Sequence, residues 1–178
     1  INPHIEAKVI DSNKNFILDR GKPGELCIKG HSVMKEYWKN KTETKKAIDK
    51  DGWMHTGDLV LMRDDGYLEI VGRIKDTIIK GGENIYPREV EEFLIKIDQI
   101  EQAYVFGVPD KTYGEIVGCW VKLEKNKIIY ENEIKNKCKN KIASFKIPSF
   151  FRIVDEFPMT ASGKVQKFKM SEKEIALK

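Results

Sequence analysis

The chain has 178 residues, with 32 Lys+Arg against 28 Asp+Glu and a formal net charge of +4. Hydrophobic residues make up 40% and charged residues 34%, which excludes intrinsic disorder and predicts one ordinary globular domain or two small ones. A basic excess this small and this scattered predicts no nucleic-acid partner, and no uncharged run approaches the ~20 apolar residues of a transmembrane helix.

In chain order, residues 7–10 predict a short strand. Residues 24–30 alternate polar and apolar between two glycines, the pattern of a half-buried strand. A helical turn is expected at 34–38 and a helix near 43–49. Two apolar runs, 58–63 and 67–71, are joined by Asp64-Asp65-Gly66 and predict a hairpin. The polar stretch 72–76 predicts a loop on composition. From Pro87, residues Val90, Phe93, Leu94 and Ile97 form an apolar stripe, so a helix is predicted over 87–97 with its proline in the first turn. Buried strands are predicted at 103–109 and 115–123, an amphipathic helix at 131–142 on Ile134, Cys138 and Ile142, and a strand at 150–154. A Lys-rich tail covers 160–173.

Residues 1–6 lack a basic start, an apolar core and a cleavage site, so no secretory signal is expected. The chain starts at Ile1 rather than Met, and a fragment of a longer protein is expected. Cys27, Cys119 and Cys138 with His4, His31 and His55 offer no zinc spacing. No metal site is predicted, and the thiols read as reduced cysteines of a cytoplasmic protein.

Several motifs fail. No G-x-S-x-G nucleophile elbow and no G-x-G-x-x-G dinucleotide fingerprint occurs. Ser162-Gly163-Lys164 ends like a phosphate loop, but Pro158 stands where that loop needs glycine and Val165 where it needs Ser or Thr.

Three segments are unusual for plain loops. His55-Thr56-Gly57-Asp58-Leu59 places a carboxylate after a glycine and before a strand, where it can accept from the two hydroxyls of a ribose; alone, it also reads as a tight-turn cap. Lys80-Gly81-Gly82-Glu83-Asn84-Ile85-Tyr86-Pro87 has two glycines that let a ligand approach the backbone; alone, it also reads as a turn into the Pro87 helix. Pro158 to Lys167 leads small and hydroxyl residues through Gly163 into Lys164, a point charge suited to phosphate; alone, it also reads as a solvated surface lysine.

In this order and spacing the segments resemble the AMP-forming adenylating enzymes: acyl-CoA synthetases, peptide-synthetase adenylation domains and luciferases. Gly24-Glu25-Leu26, Thr56-Gly57-Asp58, Gly72-Arg73-Ile74-Lys75-Asp76, the 80–91 segment, Val105 to Val108 with Tyr113-Gly114-Glu115, Lys146-Ile147-Pro148 and Pro158 to Lys164 all match, so the resemblance covers almost the whole chain. His before Thr-Gly-Asp, and Gly-Lys-Val-Gln-Lys-Phe-Lys near the end, are similar to medium- and long-chain fatty acyl-CoA synthetases. The phosphate loop and the Thr-Glu motif that serves Mg²⁺ in this family have no match here.

The resemblance implies an α+β fold. Residues 1–72 would be the β-rich end of a large AMP-binding domain, 73–76 a hinge, and 77–178 a small α/β domain of about three strands and two or three helices. A first unit of that size would have a small core and expose an apolar face to a missing N-terminal domain. The implied parent activity is ligation of a fatty acid to CoA with ATP, through an acyl-adenylate, giving AMP and pyrophosphate; alone, this chain would be inactive. Asp58 and Arg73 would bind the nucleotide, Lys164 would serve the adenylation step, Lys75 would mark the hinge, and Gly82, Glu83 and Asn84 would line the pantetheine path. ATP, AMP and CoA are the implied substrates and products, with Mg²⁺ held outside this chain. Carrier-protein loading, aryl-acid adenylation and a non-catalytic nucleotide-binding module are the alternatives.

Overall fold

The computed structural model describes residues 3–11 and 16–177, and the chain divides into two compact units, Ile1–Lys75 and Asp76–Lys178. The division falls inside the 73–76 segment.

The first unit is an antiparallel sheet in the order β1-β2-β3-β4. Its strands are β1 (Ile5–Ile10), β2 (Pro23–Gly30), β3 (Met54–Met62) and β4 (Leu68–Arg73). The alternation of β2 puts Cys27 inside with Val9, Ile10, Leu59 and Val60, all nearly inaccessible to solvent. This core is small. Tyr37, Trp38, Tyr67 and Ile70 stay exposed, Trp38 to 82%. The expected hairpin forms: the Arg63 N–H bonds to Tyr67 O at 2.9 Å, and Gly66 turns the chain with φ +83°.

Helix α1 (Lys41–Ala47) starts at Asn40, whose side chain accepts the Glu43 N–H at 3.1 Å and so satisfies one donor left open at a helix start. The helical turn expected at 34–38 does not form; those residues make only bends and turns. Met34 lies one turn before Trp38, but Tyr37 and Trp38 stay exposed, so no burial offsets the cost of starting so short a helix.

The second unit is one sheet, β6-β5-β8-β7, with β9 pairing β8. Its strands are β5 (Ile78–Lys80), β6 (Glu83–Ile85), β7 (Ile100–Asp110), β8 (Gly114–Leu123) and β9 (Phe150–Ile153). Helices α2 (Pro87–Leu94), α3 (Glu131–Cys138) and α4 (Lys167–Ala176) cover it. The α+β class stands, with corrections in detail. Two strands more than expected are present, because part of the 80–87 segment read as a loop is the hairpin β5–β6. The 72–76 stretch is likewise not a loop: β4 runs to Arg73, and Ile74–Asp76 is a 3₁₀ turn. The predicted helices 87–97 and 131–142 stop short, at Leu94 and Cys138. The Lys-rich tail contains α4.

The period-2 alternation of β7 and β8 builds two cores. Val105, Val117, Cys119 and Val121 face Val90, Leu94, Ile134 and Cys138, from α2 and α3. Phe106, Val108 and Trp120 face the other way, onto Met170 of α4 and Phe157. Glu174 fixes α4 on that side. Its carboxylate is buried, accepts the Trp120 indole N–H at 2.7 Å, and pairs in a fork with Arg152, one arm at 2.9 Å.

Removing that carboxylate strands two donors at once. Glu174→Ala should cost about 3 kcal/mol, seen as a lower midpoint in urea unfolding with an unchanged slope. A change within about 0.5 kcal/mol would mean that the fork adds nothing to the apolar packing of α4.

Candidate functional site

The segment around Asp58 departs from a regular ladder. Glu25 pairs with Leu59 and Cys27 with His55, so Thr56, Gly57 and Asp58 stand opposite Leu26 alone. The extra residues make a bulge, and Gly57 takes φ +70° to close it, a conformation that suits glycine. Asp58 therefore lies within β3 rather than before a strand, as the sequence suggests.

A bulge removes ladder partners, and each freed N–H needs another. Glu25 Oε1 accepts the Gly57 N–H at 3.3 Å, and Thr56 Oγ1 accepts the Asp58 N–H at 3.1 Å while donating to Leu26 O at 2.8 Å. Asp58 pairs with Arg73 opposite it on β4, Nε to Oδ1 at 2.8 Å. Both side chains remain partly in solvent, so the pair presents one acceptor and one donor group to an incoming ligand. Lys75 is exposed in the 3₁₀ turn that follows.

Beneath the bulge the sheet brings together Glu25, Cys27 and His55, with ligand-type atoms within 4.8 Å of one another. No sequence spacing reveals this trio, because the pairing of β2 with β3 creates it. His55 Nδ1 lies 3.0 Å from Glu25 Oε2 and 3.6 Å from Cys27 Sγ, and Nε2 faces Asp49 Oδ2 at 3.8 Å. Burial pushes the Cys27 thiol up to about 11, with the Glu25 charge adding to the effect. Glu25 thus serves backbone and imidazole with both oxygens, and the thiol stays protonated at neutral pH.

In the second unit, Gly81 and Gly82 form a two-residue hairpin turn with φ +60° and +88°, the sign required at both centres of a type I′ turn. Glu83 and Asn84 are exposed on β6, and no atom lies within 4 Å of a Cβ placed on Gly82. The hairpin hangs from β8. The Gly81 N–H bonds to Tyr113 O at 2.8 Å, and Glu115 Oε2 accepts the Ile79 N–H at 2.7 Å. Glu115 lies against Gly107, where any Cβ would collide with its carboxylate.

Lys164 ends a tight loop between β9 and α4. The Thr160 N–H bonds to Lys164 O at 2.8 Å, Thr160 Oγ1 accepts the Lys164 N–H at 3.0 Å, and Gly163 turns at φ +78°. The base of the loop is tied down by Lys167, whose ammonium meets Glu91 Oε1 at 2.6 Å; the same oxygen accepts the Val105 N–H at 2.7 Å. The Lys164 ammonium itself is exposed and has no hydrogen-bond or ion-pair partner among the described residues. The backbone is fixed and the charge is free, which suits an anionic ligand. The structure thus joins Asp58 with Arg73, and sets the hairpin and the Lys164 loop apart on separate connections of the second unit. Glu25, Glu91 and Glu115 fall inside the matched motifs, but their supporting role is visible only in the structure.

Known proteins give these segments a context. Residues 89–164 match the AMP-binding enzyme C-terminal domain. YngI of Bacillus subtilis, a protein of acyl-CoA synthetase type, is 49% identical over 98% of this chain and 32% of its own length. The mitochondrial medium-chain acyl-CoA ligase ACSF2 of Rattus norvegicus is 44% identical over 97% of this chain and 28% of its own. Among solved structures, ATP-bound MatB from Rhodopseudomonas palustris superposes with a TM-score of 0.93 at 34% identity, over 98% of this chain and 35% of that one. The o-succinylbenzoate CoA synthetase MenE of Bacillus subtilis, in complex with its acyl-adenylate intermediate, gives 0.87 at 32% identity, over 94% of this chain and 34% of that one. The chain spans about a third of the length of the curated relatives it matches. No helix among the described residues is long and apolar enough to cross a membrane.

The buried thiols give a pH prediction. Burial pushes Cys138, like Cys27, up to about 11, and Cys119 well above 9.0. A thiol whose pKa rises on folding lets the unfolded chain ionise first. Its stabilising contribution is complete below the unfolded value of about 9 and is lost as pH climbs toward 11. Urea midpoints should therefore fall between pH 9 and 11, and Cys27→Ala/Cys138→Ala should flatten that fall. An equal fall in the double variant would assign it to other groups.

Proposed function

From a chain that belongs to the AMP-forming adenylating enzymes, as their C-terminal part, we propose a parent protein that is an acyl-CoA synthetase. A carboxylate oxygen attacks the α-phosphate of ATP, pyrophosphate leaves, and acyl-AMP results. The CoA thiol then loses its proton and attacks the acyl carbon, and AMP leaves. The acid is a fatty acid in this reading, supported by the identity to the medium-chain ACSF2 ligases. An N-terminal domain of the same polypeptide supplies the acyl pocket, the phosphate loop and the ligands of the Mg²⁺ that accompanies ATP.

Within this chain, Asp58 accepts from the ribose hydroxyls and Arg73 donates to the same nucleotide. Lys164 neutralises charge on the α-phosphate and the attacking carboxylate as the bond forms. Gly82, Glu83 and Asn84 border the pantetheine arm in the second step, where a chain without Cβ at Gly82 leaves room. Lys75 stands where the hinge lets the small domain exchange one face for the other. The three cysteines are buried and unpaired, as a reducing compartment permits, and we place the protein in the cytoplasm. The observation that carries the reading is Lys164, a solvent-exposed ammonium without a partner among the described residues, on a loop whose backbone is held at both ends.

In the full-length protein, Lys164→Ala should slow acyl-AMP formation by roughly 10²–10³, the usual cost of losing one preorganised contact to developing charge. It should leave thioester formation from preformed acyl-AMP and CoA near wild type. Gly82→Leu should give the opposite pattern, with a melting scan as control because φ +88° strains any side chain there. Equal slowing of both half-reactions by Lys164→Ala would make the lysine structural. The chain of 178 residues alone, without the N-terminal domain, should show no micromolar ATP binding in a calorimeter; tight binding would remove the need for the missing part.

A further inference from the structure

We propose that Glu25 is a positioning residue for nucleotide recognition: its carboxylate closes the bulge from which Asp58 projects. The inference rests on the reading that Asp58 binds the ribose. It starts from the register. Three residues of β3 stand opposite one residue of β2, so the position of Asp58 is set by how the surplus is folded, not by the ladder. Glu25 is buried to 8% exposure on the neighbouring strand. One of its oxygens takes the Gly57 N–H, the amide immediately before Asp58 in the chain. The other takes His55 Nδ1, the residue that opens the bulge. The carboxylate therefore pins both sides of Thr56, whose own hydroxyl is bonded to Leu26 O and the Asp58 N–H. A buried carboxylate needs such donors. Glu25 acts through the backbone, and Asp58 touches the ligand.

The geometry separates placement from charge. Glu25→Gln keeps shape and reach: its carbonyl can accept the Gly57 N–H, and its amide can donate to Nδ1 of His55 in the other tautomer. Glu25→Asp keeps the charge but withdraws it by one methylene, so one carboxylate can no longer reach both donors. Placement predicts that Gln is tolerated and Asp is not.

The test uses the full-length protein with ATP, 2′-deoxy-ATP and 3′-deoxy-ATP as alternative nucleotides, and compares wild type, Asp58→Ala, Glu25→Gln and Glu25→Asp. Thermal melting checks that each is folded. Wild type should prefer ATP over the deoxy forms, and Asp58→Ala should lose that preference. Glu25→Asp should raise KM for ATP by roughly tenfold or more and lose the same preference, with kcat at saturating ATP largely kept. Glu25→Gln should behave as wild type. A purely structural role would lower the melting temperature without changing the ATP to deoxy-ATP ratio. If Asp58→Ala loses the preference and Glu25→Asp keeps it, the proposal is overturned while the ribose reading stands. If Asp58→Ala keeps the preference, the ribose reading fails and the proposal falls with it. Loss in Glu25→Gln with retention in Glu25→Asp would assign the effect to charge and would also overturn it.

Discussion

The second unit depends on one strand. β8 pairs with β7 along nearly its whole length, with β5 at the Lys80–Gly114 register, and in parallel with β9 from Gly118 to Val121. Its alternating side chains divide the unit into two cores, Cys119 toward α2 and α3 and Trp120 toward α4. The Gly-Gly hairpin hangs from the start of this strand. Phe157 and Met159, which lead into the Lys164 loop, border a surface cavity of about 410 Å³ with Gln102 and Lys122, near its end. From Gly114 to Lys122 the strand covers about 27 Å at about 3.4 Å per residue. The two segments are thus attached to the same ladder through different connections. One unit offers an exposed cation and an open backbone on separate connections of one sheet.

Much of the architecture was legible because it follows from periodicity. The alternation at 24–30, the Asp-Asp-Gly turn and the apolar stripe from Pro87 each led to the element that is present. The failures share a cause. β5 and β6 have three residues each, too few to display a period of two; they pair with each other across Gly81-Gly82, and the hairpin is held to the sheet by Gly114 and Glu115, about thirty residues on. Helix α4 hides because its buried Met170 lies among lysines, and its other inward group is the carboxylate of Glu174. Hydropathy scores such a residue as surface, whereas the donors of Trp120 and Arg152 make it core. The turn at 34–38 erred the other way: Met34, Tyr37 and Trp38 suggested packing, but Tyr37 and Trp38 stay exposed.

The site divides along the same line. Asp58, Arg73, Gly82 and Lys164 stand in recognisable strings because each sits at a bulge, a strand end or a turn, where local geometry constrains the sequence. The residues that hold those tips do not announce themselves. A glutamate in a polar chain looks like surface charge until the sheet register decides which backbone N–H lies before it.

That register reveals a common device. Each segment is secured by a glutamate that accepts a backbone N–H displaced from, or at the margin of, a ladder: Glu25 takes Gly57, Glu115 takes Ile79, and Glu91 takes Val105 together with the Lys167 ammonium. Charge-assisted bonds of this kind are stronger than neutral ones, and they act at single points, so they can fix the base of a loop without adding strands or helices around its tip. The tips therefore stay open. Asp58 and Arg73 remain partly solvated, the Gly82 turn has empty space before it, and Lys164 has no partner among the described residues. Rigid bases under solvent-accessible tips suit successive ligands: the Lys164 ammonium has no bond among the described residues to break, while Asp58 and Arg73 hold each other at 2.8 Å and keep part of their surface open for a further partner.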